Sequence, residues 1–320
     1  MLRAGISTLR ESLNSDNSRY TVSRWLKKPK AFAMGLCIAI ILAGVSYIII
    51  SPLLGVISRT FKCYTDLINP LIFLIPVTYT LENLRIAIQF MNYWEVLIRT
   101  LIFAGGIALL QVLIGSMVGY GFARFKIPGQ TIMFAVLVST IVIPVHSYMI
   151  PMFLQFRFFG AFGVEFNLIG TYMPVILLTL GGVGLRSGLF IFIFRQFFRG
   201  LPKEIEEAAL IDGAGIFRTF FRVMIPNSIP PIITVLLFAF VWQYNDELYS
   251  TMLMPNVMFV GVAMEQIMWQ FTHFLGGGNF GRVTLAMYAG VTLAITPVLI
   301  IYFLLQRHFI EGIERSGIVG

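Results

Sequence analysis

Few side chains in this sequence could carry reactive chemistry, and their spacing excludes most of it. His146, His273 and His308 are scattered, and no histidines or cysteines have metal-ligand spacing. The run Gly181-Gly182-Val183-Gly184 is not followed by Gly-Lys-Ser/Thr, so it loosens or bends a helix rather than cradling a phosphate. No catalytic constellation is present, and neither a catalytic residue nor a metal ligand is assigned. What remains is recognition chemistry, concentrated in "EEAALIDGAG" from Glu206 to Gly215. Pro202 suits the first turn of a helix, and Lys203 to Leu210 favours helix. Glu204, Glu206 and Glu207 crowd its first turns, where the helix dipole welcomes negative charge. Ala208 and Ala209 leave a low surface against which a partner could press. Gly213, after Asp212, permits the backbone to turn. A second helix follows, and Pro226 precedes the next apolar run. An ordinary amphipathic connector is the plainer reading of the same pattern.

The elements that must position these residues are membrane helices. The chain has 320 residues, is 58% hydrophobic and 12% charged, and has a mean hydropathy of +0.85. A soluble domain needs more charge to keep its surface wet. Apolar runs at about 31–51, 97–121, 131–151, 168–194, 229–249 and 285–305 approach the roughly 20 residues that cross a bilayer as a helix. Residues 1–30 are polar and basic without a signal-peptide pattern, so the first run is expected to be retained. Six spans put both termini on one side. That side holds sixteen lysines and arginines, among them Lys27, Lys28, Arg124, Lys126, Arg195, Arg199 and Lys203. The other side holds five: Arg59, Lys62, Arg85, Arg157 and Arg282. This asymmetry places both termini and the loop at about 195–228 in the cytoplasm. Flanks beside an anionic leaflet account for the net charge of +8, with no nucleic acid needed. Cys37 and Cys63 fall at different depths, which argues against a bridge between them.

The spacing around the acidic stretch carries a resemblance. Glu207-Ala208-Ala209, three residues, Gly213, nine residues, then Val223, Met224, Ile225 and Pro226 resembles the EAA loop of ABC importer membrane subunits. "FRQFFRGLPKEIEEAALIDGAG" and the tail "LLQRHFIEGIERSGIVG" resemble the carbohydrate-importing subgroup, and within it the smaller permease of the maltose-type pair. "VWQYNDEL" resembles that group's aromatic-Asn-acid stretch, with Tyr244 where Trp is common. The resemblance runs from about Thr80 to the end. In two places the chain departs from the pattern: Val319 precedes Gly320 where Lys is often found, and Arg186 stands where a small residue is common.

The resemblance implies an all-α membrane protein with six transmembrane helices, the type I ABC importer architecture. A cytoplasmic segment 1–30 would precede a transmembrane domain 31–320, set in the cytoplasmic (inner) membrane of a prokaryote. It implies a non-enzymatic permease subunit of a binding-protein-dependent importer of sugars or oligosaccharides. Its partners would be a second permease, two cytoplasmic ATPase subunits and an extracytoplasmic solute-binding protein. This chain would hold no cofactor, since ATP and Mg would be bound by the ATPases. Glu207, Ala208, Ala209, Asp212, Gly213 and Pro226 would couple to the ATPase. A permease for peptides or amino acids is the nearest alternative. A secondary transporter would need energy-coupling groups inside the bilayer, and the spans hold few acids.

Three further sets of residues are candidates. Arg186, in the fourth span, has to face the bundle interior or water at that depth. There it either caps carbonyls freed near Gly181, Gly182 and Gly184 or pairs with an acid of the partner chain, or else it lines the pathway and meets a solute carboxylate or sulfate. The second reading leaves an anionic sugar open. Tyr244, Asn245, Asp246 and Glu247 are pathway candidates near an outer end. In the outer loop from Tyr249 to Arg282, "WQFTHFLGGGNFG" joins Trp269 and His273 to Gly276, Gly277, Gly278 and Asn279. The family's corresponding loop probes the binding protein's pocket, whereas the same aromatics could simply anchor the chain at the interface.

Overall fold

The computed structural model describes residues 29–161, 164–274 and 279–317. Residues 1–28 of the expected N-terminal segment, Gly276, Gly277 and Gly278, and the terminal Val319 and Gly320 lie outside the described residues. The chain divides into two units, Met1–Ser58 and Arg59–Gly320. The described part of the first is helix α1 (Pro29–Thr60), whose last turn opens the second unit. Met34, Ile41, Ile48 and Ile49 on this helix are exposed, as side chains facing lipid would be.

The second unit begins with a compact polar node. α2 (Tyr64–Leu67) and α3 (Glu82–Phe90) are short, and α4 (Tyr93–Arg124) is long. Buried Asn83 donates to the carbonyls of Thr60 and Lys62 at 2.9 and 2.8 Å. The Lys62 ammonium donates to Ile72 O and Phe73 O at 2.7 and 2.8 Å, and Asp66 Oδ2 accepts from Val77 N and Thr78 N at 2.8 Å each. The irregular stretch between α2 and α3 thereby has its backbone answered by side chains. Burial pushes the Lys62 ammonium below its ordinary range, Arg59 adds to that, and Asp66 opposes it.

Beyond α4 two of the apolar runs are interrupted, the second at the glycines expected to loosen or bend it. The run at 131–151 forms α5 (Gln130–Val142), a 3-10 turn (Val145–Ser147) and α6 (Met149–Arg157). Pro144 is the cause: it has no N–H to continue the ladder, and it drives Ile143 to an extended conformation, φ −65° and ψ 121°. The run at 168–194 forms α7 (Met173–Leu180) and α8 (Ser187–Gly200), separated by the glycine-rich residues Gly181 to Arg186. Between α6 and α7 the chain makes an antiparallel hairpin, β1 (Phe159–Ala161) with β2 (Val164–Phe166), Phe159 opposite Phe166. The expectation of an all-α chain therefore misses one small two-stranded sheet.

The remaining elements are α9 (Glu204–Ile211), α10 (Ile216–Thr219), a π-helical turn (Phe220–Met224), α11 (Ile225–Asn227), α12 (Ile229–Tyr244), α13 (Leu248–Leu253), α14 (Val260–Phe274) and α15 (Phe280–Gly317). The outer loop expected at 249–282 is thus helical over much of its length. Among the described residues three helices are long and apolar enough to cross a membrane: Ala33–Thr60, Tyr93–Arg124 and Phe280–Leu304. A fourth arises if Ile216–Asn227 and Ile229–Tyr244, bent by 81°, count as one span.

α4 is the central element, with α7, α8, α12 and α14 all packed on it. Gly119 sets the approach of α8. A β-carbon there would meet Phe194 Cβ at 2.7 Å and the backbone N of Arg195 at 2.9 Å. Small residues of this kind let membrane helices pack by dispersion where no water drives them together. One buried cluster, Tyr120, Phe190, Phe194, Phe198, Phe220, Met224 and Val235, joins α4, α8, the π turn and α12.

Gly119→Ala is expected to force α4 and α8 apart and lower the thermal stability of the solubilised protein by about 1–3 kcal/mol. Gly105→Ala, on the same helix with nothing within 4 Å, is expected to be neutral within about 0.5 kcal/mol. Equal melting temperatures for the two variants would show that the close approach at Gly119 does not limit packing.

Candidate functional site

The EAA-like stretch folds as a short capped helix. Its spacing is the spacing of a helix C-terminus. α9 ends at Ile211, and Gly213 takes φ +81°, the left-handed conformation that glycine adopts without cost. Gly213 N donates to Leu210 O and Ala214 N to Ala209 O, each at 3.0 Å. This is the paired bonding of a Schellman motif, and it fixes Ala209 and Gly213 four residues apart. Glu207, Ala208 and Asp212 are exposed on the resulting unit, as are Leu210 and Ile211, the latter 85% exposed.

Glu206 points the other way. Its Oε2 lies 3.1 Å from Arg124 Nε, with the two side chains 15% and 6% exposed, and the N–H is not aligned for a hydrogen bond. The Tyr120 hydroxyl donates to Glu206 Oε1, and Arg124 Nη2 donates to Leu201 O at 2.9 Å. One carboxylate thereby ties α9 to the end of α4. Successive helical residues are about 100° apart, so burying Glu206 turns Glu207 outward.

Pro226 shapes the joint to α12. Proline has no N–H, so the preceding turn loses a rung, and Phe220–Met224 widens into the π turn. Asn227 Nδ2 donates to Val223 O at 2.7 Å and Ser228 Oγ to Met224 O at 2.6 Å, answering the carbonyls left at the bend. Phe220 and Met224 are buried in the cluster with Tyr120 and Phe198.

A cavity of about 680 Å³ lies beside the break between α7 and α8. Arg186, His146, Tyr148, Gln155, Ser187 and Tyr249 are among its lining. Arg186 adopts φ +60°, uncommon for a residue with a side chain and costing roughly 1–2 kcal/mol. Its guanidinium carbon lies 5.4 Å from the Trp242 ring centroid. Two carbonyls of the break have other donors: Ser187 N donates to Gly184 O at 3.0 Å, and Gln111 Nε2 from α4 donates to Leu185 O at 3.1 Å.

The other candidates are not brought to this cavity. Tyr244 is buried and donates to Ala294 O at 2.8 Å. Asn245 donates to Val241 O, and Asp246 accepts from Tyr249 N and Ser250 N at the start of α13. Glu247 is exposed. Trp269 and His273, four residues apart on α14, share its exposed face, opposite buried Ala263, Ile267 and Phe271. Asn279 O accepts from Arg282 N and Val283 N as α15 begins.

Residues 111–315, well over half of the chain, match the family described as binding-protein-dependent transport system inner membrane component. The chain belongs to this family. It is therefore a multi-pass transport subunit of the inner membrane. This permease is 29% identical over 275 residues to the diacetylchitobiose uptake system permease protein NgcG of Streptomyces coelicolor, covering 85% of this chain and 84% of that one. It is 29% identical to the arabinooligosaccharides transport system permease protein AraQ of Halalkalibacterium halodurans, covering 87% and 94%. With the maltodextrin transport system permease protein MdxG of Bacillus subtilis the identity is 26%, covering 89% and 96%. Its fold matches a chain in the crystal structure of a bacterial ABC transporter involved in the import of the acidic polysaccharide alginate, with a TM-score of 0.69, 20% identity, and coverage of 88% of this chain and 98% of that one.

Tyr120, Arg124 and Glu206 are residues of this permease's site that sequence reasoning passed over. Arg124 read as a flanking cation, and Glu206 as one more acid at a helix start. The available signal was helical geometry, since adjacent Glu206 and Glu207 cannot face one partner.

Arg124→Gln or Glu206→Gln alone leaves a mostly buried charge unpaired, so each is expected to destabilise the solubilised protein by about 3 kcal/mol. The double variant should recover part of that loss, a coupling readable in a double-mutant cycle. Additive losses would mean that the pair does not hold α9.

Proposed function

We propose that this permease is one of two membrane-spanning subunits of an ATP-driven importer of sugars or oligosaccharides. The second is a different permease chain, and together they enclose the pathway. Two ATPase subunits bind on the cytoplasmic side and an extracytoplasmic binding protein delivers the solute; ATP and Mg belong to the ATPases. The chain crosses the membrane six times with both termini in the cytoplasm, a reading supported by the sixteen-to-five division of basic residues. The sugars named for NgcG, AraQ and MdxG support the solute class.

The single observation that carries the coupling role is the two-sidedness of α9. Glu206 mounts it on α4, while Glu207, Ala208, Leu210 and Ile211 are left uncovered. An acid, a small residue and two apolar side chains on one short helix form a surface that a groove on the ATPase can receive. Asp212 and Gly213 end the helix there, and Pro226 sets the joint through which its movement reaches α12. We assign the exposed Trp269 and His273 of α14, with Gly276, Gly277, Gly278 and Asn279 that follow in the sequence, to contact with the binding protein. We assign Arg186 to the pathway, where its cavity lining and its contact with Trp242 leave a planar donor facing open space.

Glu207→Ala is expected to leave the subunits folded and weaken docking of the ATPase about tenfold or more, the scale for truncating one partner of an interfacial charge pair. Uptake per ATP hydrolysed in proteoliposomes measures it, and normal coupling would sink the proposal. Arg186→Gln is expected to reduce uptake of a uronate oligosaccharide far more than assembly or basal ATPase activity. Loss of the assembled complex with no change in solute preference would return Arg186 to a structural role.

A further inference from the structure

A second cavity, of about 550 Å³, opens beside the coupling helix, between the ends of α4 and α8 and the start of α5. It is strongly cationic. Lys126, Arg195, Arg199 and Lys203 line it together with Arg124, whose charge Glu206 already neutralises. None of the other four has a carboxylate within ion-pair distance among the described residues, and Glu207 is the remaining acid of the lining. Arg195 is the most constrained. Its guanidinium carbon stacks 3.7 Å from the Phe134 ring centroid, and its Nε is buried with no hydrogen-bond acceptor among the described residues. Unpaired cations converging on a polar hollow, with a buried donor unanswered, are a site waiting for an anion with several acceptor oxygens. Phosphate has that shape and charge.

The surroundings select the form of the phosphate. Phe134 stacks on through Phe122 and Phe192, with ring centroids 5.7 and 6.1 Å away, so an aromatic ladder leads from the cations along α4, α5 and α8. Ile132, Met133 and Val136 on α5 are exposed, as lipid-facing side chains are. A cationic hollow whose lining ends at Thr131, next to the exposed apolar residues of α5, fits the headgroup of an anionic phospholipid, phosphate among the cations and acyl chains along the helices. We propose that this permease binds an anionic phospholipid there. The proposal requires that α4 and α5 lie in the bilayer. It does not depend on the identity of the solute, and it requires that an ATPase docked on Glu207 and Leu210, which also line the cavity, leave the cations open.

The experiment uses the full transporter complex purified in detergent. Spin-labelled phosphatidylglycerol and phosphatidylcholine are titrated against it, with and without inorganic phosphate. Wild type should retain phosphatidylglycerol in preference to phosphatidylcholine. Arg195→Gln with Arg199→Gln should reduce that preference about fivefold for each cation removed. Arg218→Gln with Arg222→Gln, which removes two cations of the same segment outside the cavity, should leave it unchanged. If the Arg195 variant fails to assemble, Lys126→Gln with Arg199→Gln, at exposed positions, makes the same test. Equal losses for the cavity pair and the Arg218 and Arg222 pair would reduce the effect to diffuse charge and overturn the site. Displacement of the lipid by inorganic phosphate alone would make it a soluble-anion site and overturn the lipid assignment. Retention seen only after the ATPase subunits are stripped away would make the cavity part of their contact, overturning it as well.

Discussion

The ion pair between Glu206 and Arg124 decides which way α9 faces, and the arrangement at this end of the molecule follows from it. α9 has eight residues, too few for an isolated helix to be stable in water, so its order comes from its mounting. The mounting is a carboxylate with an arginine on one oxygen and a tyrosine hydroxyl on the other. Mostly buried charge is expensive unless paired, so the pair opposes any rotation of α9 that would leave one partner alone. Glu207 follows about 100° further round, and its outward direction is a consequence of where Glu206 is held.

The same logic applies to the bend into α12. A proline, a π turn and an 81° change of direction would form a weak joint if the freed carbonyls had no partners. A buried backbone group left without a partner costs about 1–3 kcal/mol. Asn227 and Ser228 supply side-chain donors to the two carbonyls concerned, and Phe220 and Met224 anchor the turn in the aromatic cluster. The joint is bent, and two of its carbonyls accept side-chain hydrogen bonds.

Much of this was legible in the sequence, for identifiable reasons. The spacing from Glu207 to Gly213 predicts a helix that stops, because the left-handed cap has a fixed offset from the last turns. The long helices at Tyr93 and Phe280 follow from apolar length. Local signals also announced the breaks, Pro144 in one apolar run and Gly181 to Gly184 in the other, but a hydropathy window averages over them. The roles of Tyr244 and Asp246 were not legible, since they depend on Ala294 and on the start of α13, which no spacing rule supplies. Helix α14 was hidden because glycines and aromatics near its end read as a loop. Arg124 was hidden because its partner lies 82 positions away in the chain.

α4 connects the two sites that these residues form. Arg124 grips Glu206 at one point and Gln111 grips Leu185 O at another, thirteen residues earlier and about 20 Å along the same helix. α8 runs beside it from Ser187 to Gly200, just short of the coupling helix, and Gly119 brings the two within backbone contact. Helices so closely packed move as a pair, because sliding one past the other would have to displace the rings of Phe190, Phe194 and Phe198. Force applied at Glu207 therefore reaches the cavity through two parallel struts. It meets there the segment from Gly181 to Arg186, where helical hydrogen bonding is interrupted and φ is positive at Gly182 and Arg186. The irregular part of this frame lies at the cavity, and the closely packed part lies between the cavity and α9. If α9 couples to the ATPase as proposed, that distribution would let its movement change the shape of the cavity.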